Sequence, residues 1–154
     1  RQYRGSRRIA AFHFPEAPIP NGYKRLVVAR PDPANDPDEV LAAIASHEQR
    51  FPGGRYADDL KLLRAGALID AGKYAHALEL LDSILSNPVQ RDLHVLAALD
   101  FADIAQRLLV PEERAAVARA IRVSPGALPR LQRLVAGDTF LSRLQPLMPW
   151  MESQ

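Results

Sequence analysis

From Phe51 to Leu85 the chain reads FPGGRYADDLKLLRAGALIDAGKYAHALELLDSIL, and this stretch constrains the fold more than any other. Tyr74, Ala77, Leu78, Leu81, Ile84 and Leu85 recur at spacings of three and four. That period gathers them on one face of a helix. A helix with one apolar face must bury it against another element. The preceding run, from Tyr56 to Ala71, is also helical in pattern and stops at Gly72, a residue that takes a left-handed turn cheaply. The expectation is two helices, about 56–71 and 73–86, joined by a turn at Ala71-Gly72-Lys73.

The same punctuation continues along the chain. DPDE supplies an N-cap at Asp36, Pro37 at the first helical position and Glu39 at the capping-box position. That helix should run to Arg50 and stop at Phe51-Pro52-Gly53-Gly54. Asn87-Pro88 ends the helix that begins near residue 73. A run over 90–109 is apolar on nearly every side (Leu93, Leu96, Ala97, Leu99, Phe101, Ile104, Leu108, Leu109), as in a helix sandwiched between neighbours. VPEERAAVARAIRV follows, with Pro111 and two acids suited to a first turn. SPGALPRLQRLVAG and DTFLSRLQPLM read as two shorter helices, the second capped by Asp138 and closed by Pro149. With 154 residues and 47% hydrophobic content, one compact all-α domain over 36–154 is expected, built from antiparallel hairpins.

Residues 1–35 differ. RRIAAFHF and YKRLVVAR are short and partly β-favouring, PEAPIPNG forbids a helix, and RPDPANDP is a stiff linker. The first 31 residues carry seven cations against Glu16 alone, whereas 32–60 carry seven acids against Arg50 and Arg55. A basic extended arm therefore precedes an acidic stretch. Such an arm suits nucleic acid, anionic lipid or an acidic protein face, or simply keeps the chain soluble. Its apolar residues suggest docking on this chain's own helices or on a second copy, which would make a homo-oligomer. Arg1 is not an initiator methionine, so a processed or excised piece of a larger protein is expected.

Ala43 and Ala77 stand 34 residues apart, with Ala65 as a matching small position in the facing helix. Stacked helix pairs repeat near that period. AGKYAHALELLDSILSNP resembles the turn and second helix of the tetratricopeptide repeat family, through Gly72, Tyr74, Ala77, Leu81, Ile84 and Pro88. FPGGRYADDLKLL is similar to the link between repeats in bacterial envelope proteins of that family. The resemblance covers about 38–88. It departs from the family at Lys61, where an aromatic is usual, at Pro88, one residue early, and at Pro111, where a third repeat would need alanine. It implies a short tetratricopeptide-like α-α superhelix with an extended N-terminal arm. It also implies a bacterial interaction scaffold; the compartment is left open, with a periplasmic or envelope setting favoured over a cytoplasmic one. A concave face for a protein or peptide partner would fall on Asp59, Leu62, Gly66, Ile69 and Asp70. The simpler alternative for Leu62 and Ile69 is burial under a neighbouring helix.

The usual marks of catalysis are missing from the sequence. There is no cysteine, hence no disulfide and no thiolate metal site. His13, His47, His76 and His94 lack zinc-protease spacing, and Gly53-Gly54 lacks the Lys-Ser/Thr of a phosphate loop. No serine has a nucleophile-elbow setting. His13 and Glu16 lie on a proline-rich arm without rigid support. Asp58-Asp59 and Glu112-Glu113 read as helix-start or solvated acids. Asp100 and Asp103 stand out on an apolar helix, where they would bond across to arginines or face a groove. The expectation is no enzyme, no cofactor and no metal, and no segment long enough to span a membrane.

One rival motif remains. Residues 115–134, AAVARAIRVSPGALPRLQRL, look like a helix-turn-helix DNA reader, with Ser124-Pro125-Gly126 opening the recognition helix and Arg130 and Arg133 facing DNA. Against it, Pro129 would fall about five residues into that helix, where it removes a hydrogen bond and costs ~3 kcal/mol.

Overall fold

The computed structural model describes residues 36–154 apart from Arg55, Asp138, Thr139 and Gln154. The expected arm over 1–35, with His13 and Glu16, and the expected cap at Asp138 lie outside the described residues. All regular structure among the described residues is helical. The chain divides into two compact units, the first ending at Gly72 and the second running from Lys73 to Gln154. The division falls at the turn of the expected 56–85 hairpin, so its two helices belong to different units.

The first unit contains α1 (Pro37–Arg50) and α2 (Ala57–Asp70). Asp36 caps α1: its backbone is extended and its Oδ1 accepts from the Asp38 N–H at 3.0 Å. Pro37 occupies the first position, where the N–H it lacks would have had no helical partner. At the other end Gly53 has φ +66, a left-handed conformation that turns the chain back. α1 packs on α2. Val40, Ile44, Tyr56, Leu60, Leu63 and Ala67 form the shared core, with Leu41 at its edge. Arg64 of α2 pairs with Glu48 of α1 on the outside. Gly72, at φ +77, ends α2 as the sequence predicts, its N–H donating to the Ile69 carbonyl at 3.0 Å.

The second unit is built around α3 (Tyr74–Leu85), which packs on both α4 (Arg91–Gln106) and α5 (Pro111–Val123). Ala77, Leu78, Leu81 and Ile84 are buried on the face that their spacing predicts. Asn87 starts a short 3-10 turn, Pro88–Gln90, by accepting from the Val89 N–H at 2.9 Å. A second 3-10 turn, Arg107–Leu109, leads into α5, where Pro111 takes the first position. α6 (Ala127–Gly137), a 3-10 stretch (Phe140–Leu147) and α7 (Met148–Ser153) complete the unit.

Three expectations are corrected here. The fourth helix is not sandwiched: it buries one stripe, Leu93, Ala97, Asp100, Phe101, Ile104 and Ala105, and leaves Val95 and Leu99 exposed. DTFLSRLQPLM is not an α-helix closed by Pro149. Its described part is wound as a 3-10 helix containing Pro146, and Pro149 lies in the first turn of α7, where its missing N–H is not needed. Pro129 is likewise the third residue of α6 and removes no helical hydrogen bond, because α6 begins only at Ala127.

Candidate interaction surface

The five positions expected to line a partner-binding face on α2 are mostly inside the molecule. Leu62 is 1% exposed and Ile69 0%, and Asp59 and Gly66 are buried with them; Asp70 alone is exposed. Side chains with so little accessible area offer nothing to a partner. The physical reason is that α2 buries nine of its fourteen residues, over most of its circumference.

The candidate DNA residues are placed differently. The order α5, tight turn, α6 is present, and Gly126 at φ +81 makes the turn possible. Ser124 Oγ donates to the Ala120 carbonyl at 2.8 Å and closes the end of α5. Arg130 is drawn inward, its Nη2 donating to Asp82 Oδ1 of α3 at 3.0 Å. Arg133, one turn further on, is exposed. Of the two arginines expected to face DNA, Arg130 is committed to a carboxylate of its own unit and Arg133 is not.

The exposed apolar side chains of the second unit were not singled out by the sequence. On α4, Val95 is 69% exposed and Leu99 62%, four residues apart and so on one face. Ala98 beside them is also exposed, and Ala102 is half-buried. Val89, in the preceding 3-10 turn, is exposed as well. Single surface leucines are ordinary, whereas Val95, Ala98 and Leu99 stand together on one face of α4. Its inner edge borders a groove of ≈ 270 Å³ lined by Leu85, Ala98, Phe101, Leu134, Arg130 and Arg133. The signal that hid it is the composition of α4. With apolar residues on every side, periodicity does not say which side faces water.

A polar cluster fixes the far end of this unit. The Tyr74 hydroxyl donates to Glu113 Oε1 at 2.5 Å. Arg107 donates to Glu113 Oε1 at 3.1 Å, to the Tyr74 oxygen at 3.3 Å and to Asp103 Oδ1 at 3.3 Å. Asp103 thus pairs with the arginine one turn further along its own segment, a local contact rather than the expected bond across to a neighbouring helix. Burial and the hydrogen bond to Glu113 push the Tyr74 hydroxyl above its ordinary range. Burial opposes the charge on Arg107, yet Tyr74 and Asp103 hold it firmly protonated. The Tyr74 hydrogen bond, with Arg107 beside it, holds the Glu113 carboxyl below the usual range. Three helix ends meet in this cluster, which reads as a clasp because every group has a partner within it.

The histidines stand apart. His76 is exposed on α3, His94 donates through Nε2 to the Asn87 carbonyl at 3.0 Å, and His47 lies against Phe51 with ring centroids 5.0 Å apart. Burial, with Arg50 nearby, lowers the His47 pKa. Among the described residues no three acid or histidine side chains gather to hold a metal ion, and no helix is long and apolar enough to cross a membrane. Comparison of the chain with family models, curated proteins and solved structures found no match, so the residues themselves carry the functional reading.

Proposed function

We propose that this chain is a protein–protein interaction module, a tetratricopeptide-like helical scaffold of a larger bacterial protein. The observation that carries the reading is the exposed stripe of Val95, Ala98 and Leu99 on α4. Leaving apolar area in water forgoes roughly 25 cal/mol per Å² that burial would return. A partner that covers the stripe recovers that energy. The clasp of Tyr74, Arg107 and Glu113 supports the reading by holding α3, α4 and α5 as a firm platform, which lowers the ordering cost of association. The 34-residue spacing of Ala43 and Ala77 supports the repeat-like stacking.

The test is capture of partners from native extract with two baits, the wild-type chain and Val95→Asp/Leu99→Asp, after circular dichroism shows equal helicity. Proteins retained by the wild type and lost by the variant are the expected result. An identical set on both baits would overturn the assignment of this face. A second reading, the DNA regulator, draws on the α5–turn–α6 order and on the exposed Arg119, Arg122 and Arg133. Its mark would be nucleic acid on the bait, with affinity falling steeply as salt rises.

A further inference from the structure

The groove beside the apolar stripe carries a sign of charge, and that sign narrows the partner. Phe101 and Ala98 of α4, Leu85 at the end of α3 and Leu134 of α6 make it apolar, and Arg130 and Arg133 lie along its α6 edge. Its volume of ≈ 270 Å³ falls below the ~300–1,000 Å³ usual for small-molecule sites, so it suits one large side chain better than a cofactor. Arg130 is already bound to Asp82 at 3.0 Å. Arg133 is exposed, and α6 carries no acid to answer it. From Arg114 to Gly137 the chain has five arginines and no Asp or Glu.

Filling such a groove with an apolar side chain would strip water from the Arg133 guanidinium. That loss is offset only if the partner brings an anion to the same edge. A guanidinium takes a carboxylate in a two-pronged geometry, which favours an acidic side chain. Nucleic acid fits less well, because the arginine borders Phe101 and Leu134 rather than an open polar face.

We propose that the α4–α6 groove docks an acidic amphipathic helix of a partner protein. This deepens the interaction-module reading and rests on it. One large apolar side chain enters between Leu85, Phe101 and Leu134. Its neighbours one turn away lie on Val95 and Leu99. A Glu or Asp on the flank pairs with Arg133. Val95 to Ala102 spans about 11 Å of helix, so two to three turns of partner cover the face.

The probes are two fluorescent synthetic helices of the same leucine spacing, one flanked by glutamates and one by lysines, titrated with the full chain. The acidic peptide should bind and the basic one should not. Arg133→Glu should weaken the acidic peptide by about tenfold or more and admit the basic one, since a reversed rim charge changes which partner is accepted. Ala98→Trp should abolish binding of the acidic peptide by filling the groove, with circular dichroism confirming the fold of each variant. No binding of the acidic peptide, equal binding of both, or a preference unchanged in Arg133→Glu would overturn the proposal. So would a DNA duplex that displaces the acidic peptide. If the acidic peptide fails while extract partners still depend on Val95 and Leu99, the module survives without this occupant. If both fail, the module reading falls as well.

Discussion

Helices α2 and α4 are similarly rich in apolar residues and are used in different ways. α2 has the smaller side chains at its centre, Ala65, Gly66 and Ala67, and all three are buried, as are Leu62 and Ile69 on another face. α4 buries a single stripe from Leu93 to Ala105 and turns Val95 and Leu99 to water. The difference teaches that apolar content does not decide exposure. Nor do small residues by themselves enclose a helix, since α4 has Ala97, Ala98, Ala102 and Ala105 and leaves Ala98 exposed. Branched side chains do not decide it either: Leu62 and Ile69 are enclosed on a second face of α2, whereas Val95 and Leu99 of α4 meet water.

The sharpest way to break that comparison is truncation at matched positions. Leu62→Ala should destabilise by about 2–5 kcal/mol, since it removes a buried side chain and leaves a cavity. Leu99→Ala, on the exposed face, should stay within about 0.5 kcal/mol. Urea unfolding of both variants checks this. Equal losses would show that α4 is as enclosed as α2.

A smaller effect sharpens the account of the platform. Tyr74→Phe removes the hydroxyl that donates to Glu113, but Arg107 and Glu113 keep each other at 3.1 Å. The expected cost is therefore about 1 kcal/mol, the net worth of one hydrogen bond rather than of an orphaned charge. A loss several times larger in thermal unfolding would mean that the hydroxyl organises the whole clasp.

The smallest expected effect separates the two units by pH. His47 has a lowered pKa in the fold, so the stability it contributes is present above its unfolded value of 6.5 and is lost as pH falls below it. Glu113 is also lowered, from 4.5, so its contribution survives to more acidic pH before it is lost. Tyr74 is raised, so its contribution is present below 10.0 and is lost as pH rises through its folded value. Hydrogen exchange should show protection in α1 declining first on mild acidification, with the Tyr74 end of the second unit loosening only at strong acid or strong alkali. Loosening of both units together near pH 6 would contradict this order.

Local chemistry was legible in the sequence wherever one residue decides a backbone conformation. Asp36 and Pro37 start α1, Gly72 stops α2, Asn87-Pro88 breaks α3 from α4, and Pro111 opens α5. The inward face of α3 was equally legible, because its apolar residues follow a single helical period. Pro129 and Pro149 depart from expectation for a related reason: a proline is harmless or disruptive according to where its helix begins, and Gly126 and Leu147, which precede the two starts, carry no capping side chain. The candidate site was less legible. Arg130 and Arg133 were picked out as a pair, but only packing revealed that Asp82 holds the first while the second borders an apolar groove.

The sequence by itself determined that this chain is helical and where most of its helices begin and end, because caps, prolines and glycines act through bonds within a few residues. The tertiary structure alone decided which apolar faces are enclosed and which meet water. Burial depends on what packs from elsewhere in the chain, and for α2 and α4, apolar on several sides, the period of the sequence names no single inward face.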